Sequence, residues 1–216
     1  MTEDARSVEY GMQKFWILNN MGFLFRYWST ARESLEKVMS EPEAFTEFIG
    51  DSKQEALVRG IVSDHLEHHN YSGVLLTYAI LDEFMITLSK DLGRARGAPI
   101  VPNDLRDRGI KRYKKFIHQV CGVQPDEIDI DWPFLEDLAE VRNAIIHANG
   151  NKSLLGNPKK LERVVDHHAP LLQLKHSRVK LVITDDFVKK AMSATQVAAL
   201  ELNEVASKAR SESGAQ

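Results

Sequence analysis

Arg142, Asn143 and His147 stand close together in the stretch Glu140-Val141-Arg142-Asn143-Ala144-Ile145-Ile146-His147-Ala148-Asn149-Gly150. An arginine is permanently charged and forks two donors onto a phosphate. A histidine takes or gives a proton near neutral pH. An asparagine adds a donor and an acceptor. Together they suit phosphoryl chemistry on a nucleic-acid backbone. On a helix, Asn143 and His147 stack on one face. Arg142 starts roughly 140° away from His147, and its long stem can bend round to the same pocket.

The bare spacing of Arg and His recurs at Arg59 and His65, Arg112 and His118, and Arg163 and His168. Three features separate Arg142 from these. Asn143 follows it at once. Leu138, Val141 and Ile145, with Ile146 and Ala148 on the flank, give its helix an apolar stripe. Asn149-Gly150 then supplies the left-handed chemistry that stops a helix. The bland alternative is a histidine that only caps helix carbonyls, with Arg142 on a solvated face.

Arg-Asn-x-x-x-His on an amphipathic helix ended by Asn-Gly resembles the signature of the HEPN superfamily of helical ribonucleases. The resemblance spans roughly residues 52–205, with no close match for 1–50. It implies a bundle of four or five helices and a metal-independent endoribonuclease, of the toxin or defence-effector kind, that needs no cofactor. It further implies a homodimer in which Arg142, Asn143 and His147 of both chains form one composite site. There His147 would activate the ribose 2′-OH or protonate the leaving oxygen. Arg142 would stabilise charge on the phosphate, and Asn143 would orient the pair. RNA is the expected substrate and a cognate antitoxin the expected protein partner. Many members carry an acidic residue on the equivalent helix, which makes Asp82 or Glu83 a candidate support for Arg142 or His147. Some members are believed inactive, so a non-catalytic helical dimer that binds a nucleotide, RNA or a protein is the alternative.

Residues 94–115 are rich in cations, whereas 116–141 hold acids and no cation. Arg106, Arg108, Lys111, Arg112 and Lys115, beside Tyr113 and Phe116, are candidates to track phosphates and stack a base; a solvated face is the competing reading. His65 and His69 have the i, i+4 spacing of a zinc pair but lack the order of zinc-protease motifs, and side chains at a helix end explain them more simply. His167-His168 reads as a surface turn. No metal site is expected. The single cysteine, Cys121, excludes an internal disulfide and a Cys-based zinc centre, and fits a reducing cytosol.

The chain of 216 residues, 43% hydrophobic and 27% charged, fits one domain with an extension. Net charge of −3 argues against indiscriminate coating of nucleic acid. The acidic start does not resemble a signal peptide, and the apolar run from Phe15 to Phe25 is too short to span a membrane. The expected location is cytoplasmic.

The elements that must position the motif are mainly helical. Periodicity predicts helices over 7–28, over 30–39 capped by Ser29, from Asp51 to about His69, and over 72–92 stopped by Gly93. A short segment from Pro42 to Gly50 precedes Asp51. A basic helix over 110–120 follows, then the motif helix, with Asp131 as its N-cap and Pro133 in its first turn. A short helix over 158–166 and a hairpin of 171–174 with 178–183 come next. A last helix over 185–208, capped by Thr184, buries Phe187, Val188, Met192, Val197, Leu200 and Val205. The domain reading is an N-terminal helical extension over 1–50, a bundle over 51–210 and a disordered tail over 211–216.

Overall fold

Ile17, Met21, Leu24 and Trp28 recur at steps of four and three, and all four are buried along one side of a single helix, α1 (Glu3–Ser40). The structure, a computed structural model, describes residues 3–40 and 53–213. The segment expected from Pro42 to Gly50, the cap at Asp51 and the last three residues of the tail lie outside them. Among the described residues, α2 (Lys53–Ala95), α3 (Ile110–Lys115), α4 (Trp132–Ala148), α5 (Pro158–His167) and α6 (Asp185–Ser213) complete six helices. One antiparallel hairpin, β1 (Leu172–Lys175) and β2 (Lys180–Ile183), pairs Leu172 with Ile183. The fold is mainly α with this small hairpin.

Two expected breaks are absent. Ser29 does not cap a new helix: its Oγ donates back to the Arg26 carbonyl, and the helix continues. The break expected between His69 and Ser72 is absent too: α2 runs through to Ala95, and Gly73 and Gly93 sit inside it for a packing reason. A Cβ on Gly73 would meet Trp28 Nε1 at 2.7 Å, and one on Gly93 would meet Phe116 Cζ at 2.8 Å. These glycines let α1 and the segment after α3 approach α2. Val197 is exposed rather than buried. α6 continues through Ser213, so residues 211–213 are helical.

α1, α2 and α6 pack together as one layer. Ala191, Ala198, Ala199, Ala206 and Ala209 on α6 are buried, and such small side chains allow close helix contact. Across from them, α4 contributes Leu135, Leu138, Val141 and Ile145 to the same core. Burying each such side chain contributes about 1.5–3 kcal/mol. One segment, Ser63–Ala95, is apolar and long enough by composition to cross a membrane, but 44% of its apolar window is buried inside the protein. It serves as a core helix in this fold.

Candidate functional site

The motif helix α4 is fixed at both ends by its own sequence. Asp131 accepts a hydrogen bond from the Phe134 N–H at 3.0 Å, and Pro133 sits in the first turn, where no donor is lost. At the other end Asn149 adopts φ 45°, ψ 41°. The N–H groups of Asn149 and Gly150 donate to the carbonyls of Ile145 and Ala144 at 2.8 and 3.0 Å. The chain then passes to the hairpin. The Leu181 N–H donates to the Gly150 carbonyl at 2.8 Å, and Lys180 Nζ caps the Asn149 carbonyl at 3.0 Å. Gly150, at φ 71°, leaves room for the Tyr71 hydroxyl, which itself donates to the Leu181 carbonyl. Helix α2 and strand β2 thus clamp the end of the motif helix.

Arg142 and Asn143 line a cleft of about 940 Å3 between α2, α3, α4 and α5. The Arg142 guanidinium donates to Asn143 Oδ1 at 3.0 Å and lies 5.4 Å from the centre of the Tyr78 ring. It forms no ion pair among the described residues. A half-buried cation with no carboxylate partner is costly unless an anion or water meets it. The cleft wall deepens that demand. Arg108, Lys111, Arg112, Lys159, Lys160 and Arg163 line it, against the carboxylates of Asp82, Glu136 and Glu140. Glu136 pairs with Lys114 and Glu140 with Lys160, each at 3.4 Å. Arg108, Lys111 and Lys159 have no ion-pair partner among the described residues. In a chain of net charge −3, this cleft is a local positive field suited to a polyanion.

His147 is exposed in the last turn of α4 and makes no hydrogen bond to any described residue. It does not line the cleft that holds Arg142. The structure therefore brings Arg142 and Asn143 together and leaves His147 one turn along, exposed in the last turn of the helix. Ile146 beside it is also exposed, not packed on the stripe.

Of the two candidate carboxylates, Asp82 faces the cleft and accepts from the Tyr113 hydroxyl at 2.9 Å, while Glu83 is exposed elsewhere. Asp82 and Arg142 flank Tyr78. Burial first, then Asp82, raises the Tyr78 phenol above 10.0, and Arg142 opposes them.

The basic patch divides. Arg108, Lys111 and Arg112 reach the cleft, but Arg112 is tied to the Asp107 carbonyl and to Asn103, and Lys115 pairs with Asp107 at 2.8 Å. Arg106 is exposed and does not line the cleft. Tyr113 and Phe116 are buried, so neither is a platform for a base. Tyr78, half-buried, also lines the cleft and is the more open of its two tyrosines. Lys159, Lys160 and Arg163 also belong to the cleft. Their signal was legible as one cationic side of the short helix whose other side is Leu161, Val164 and Val165.

The remaining histidines differ from expectation. His65, His68 and His69 lie within α2, not at its end. His65 and His68 bond backbone carbonyls one turn back, and His69 Nε2 meets the Trp28 carbonyl at 2.9 Å. His168 is not a surface turn residue: it is buried against Phe134 and Phe187 and bonds Asp137 of the motif helix. Burial pushes the Cys121 thiol up to about 11, which leaves it a poor nucleophile.

Comparison with family models, with curated proteins and with solved structures finds no match. The functional reading therefore rests on the geometry and on the motif.

Proposed function

We propose that this protein is a metal-independent endoribonuclease of the HEPN type, acting as a homodimer in the cytosol. The observation that carries the reading is the uncompensated Arg142 guanidinium in a cation-lined cleft, one helical turn from a free, exposed His147. A phosphodiester in the cleft would meet Arg142 and the Asn143 amide, with Lys111 and Lys159 along the strand. His147 would act at the 2′-OH or the leaving oxygen. Because His147 lies outside its own chain's cleft, two motif helices facing each other supply the missing neighbour, and a second imidazole gives both a base and an acid. General acid–base catalysis of this kind contributes about 10²–10⁴ in rate. Removing one preorganised charge from the phosphate costs about 3 kcal/mol. A toxin or defence role, with a cognate antitoxin, follows from the same resemblance.

The second reading is a non-catalytic module that holds a nucleotide, RNA or an acidic partner in the same cleft. The separation of His147 from the cleft favours it. One assay separates the two. The purified chain is incubated with a mixed RNA pool in EDTA, beside its His147→Ala variant. Cleavage that survives chelation and is lost in the variant supports the enzyme. Retention of RNA by both proteins without cleavage selects the binding module.

A further inference from the structure

Asp137, on the buried side of α4, gathers three cationic or titratable side chains from α5 and the turn after it. Its Oδ1 accepts from Arg163 at 3.0 Å. Its Oδ2 faces His167 Nδ1 at 3.0 Å and His168 Nε2 at 3.1 Å. Asp137 is only 5% exposed and His168 only 6%, whereas the side chains of His167 and Arg163 are 63% and 70% exposed. The proposed nuclease does not use this cluster.

We propose that Asp137, His167 and His168 bind a divalent transition-metal ion of the zinc class. Zinc takes imidazole nitrogen and carboxylate oxygen at about 2.0–2.2 Å, so tetrahedral ligand atoms lie about 3.4 Å apart. The two nitrogen–oxygen edges here are within a few tenths of an ångström of that, and all three donor atoms lie within 4.8 Å of one another. Two nitrogens and one carboxylate oxygen match the donor preference of zinc over magnesium or calcium. To bind the ion, each imidazole would give up the proton it shares with Oδ2 and offer that nitrogen's lone pair instead. Arg163 on Oδ1 is a ready outer partner for a carboxylate that binds the ion through Oδ2.

The ion would pin the end of α5 to the motif helix. Lys159, Lys160 and Arg163 of α5 line the cleft, so the site steadies one wall of it and shares the Asp137 charge with Arg163. This goes beyond the nuclease reading and does not depend on it, because the role is structural and the test reads metal binding.

The experiment is a titration of the tag-free, chelator-treated full chain with Co2+, followed by its visible ligand-field bands, then displacement with Zn2+. The expected result is one ion per chain with four-coordinate bands, zinc displacement, and a raised melting temperature. His167→Ala removes an exposed ligand, so the fold should persist by circular dichroism while affinity falls by at least about 100-fold, the upper range for even an outer-shell partner. Asp137→Asn should abolish the bands if it folds. Absence of saturable binding would overturn the proposal. So would equal binding by wild type and His167→Ala, which would assign the ion to the histidines of α2.

Discussion

Arg142 has a hydrogen bond to Asn143 and a tyrosine ring beneath it but no carboxylate, which is what a phosphate site requires of a cation. Arg142→Lys keeps the charge but loses the planar fork. It should lower cleavage 10-fold or more, about 1.4 kcal/mol or more in the barrier. Equal rates for the two proteins in steady-state turnover would reduce Arg142 to general positive charge. His147→Ala removes an exposed side chain that makes no hydrogen bond or ion pair with a described residue, so stability should change by no more than about 0.5 kcal/mol. Cleavage should nevertheless be lost; full activity, measured beside thermal melting, would contradict the catalytic assignment. The motif residues were legible because they are local. The Asp137–His168 bond was not, since it joins residues 31 apart and no local pattern marks it.

The motif helix owes its limits to local chemistry, and these were readable: Asp131, Pro133, Asn149-Gly150, and Thr184 before α6, whose Oγ1 accepts from the Phe187 N–H at 3.4 Å. The long helices were less so. Ser29 looks like punctuation but back-bonds within its helix, while Gly73, inside α2, admits Trp28. Only the tertiary packing distinguishes a glycine that breaks a helix from one that lets a neighbour approach. Gly150 combines both roles, a positive φ and contact with Tyr71. Gly150→Ala should therefore cost about 2 kcal/mol or more in chemical denaturation. An unchanged midpoint would show that the helix end and Tyr71 do not constrain one another.

Stability of the chain as a whole should depend on pH through its buried imidazoles. Burial, chiefly, holds His69 and His168 below 6.5. Folding thus favours their neutral forms. The stabilisation is full above 6.5, the unfolded value, and is lost as pH falls below it toward the lowered folded values. The melting temperature should drop on acidification from roughly pH 7 to pH 5, with a shallower slope in His168→Asn. An identical slope in that variant would remove His168 from the account.

Assembly is the second property of the molecule as a whole. α1 turns Ile17, Met21, Leu24 and Trp28 inward but leaves Phe15 at 70% and Phe23 at 66% exposed. With Ile146 exposed beside His147, the chain carries apolar surface that association would cover. Light scattering at micromolar concentration should give about twice 24.5 kDa. A monomer that cleaves at full rate on dilution would contradict a composite site.

The most direct measurement uses one RNA oligonucleotide in EDTA and the same oligonucleotide with a 2′-deoxy sugar at the cleaved position. Attack by the 2′-OH predicts a 2′,3′-cyclic phosphate end from the first, by mass spectrometry, and an intact second strand, with neither cut by His147→Ala. Cleavage of the deoxy-substituted strand at the same position, or cleavage of the RNA by the variant, would contradict the Arg142–His147 site.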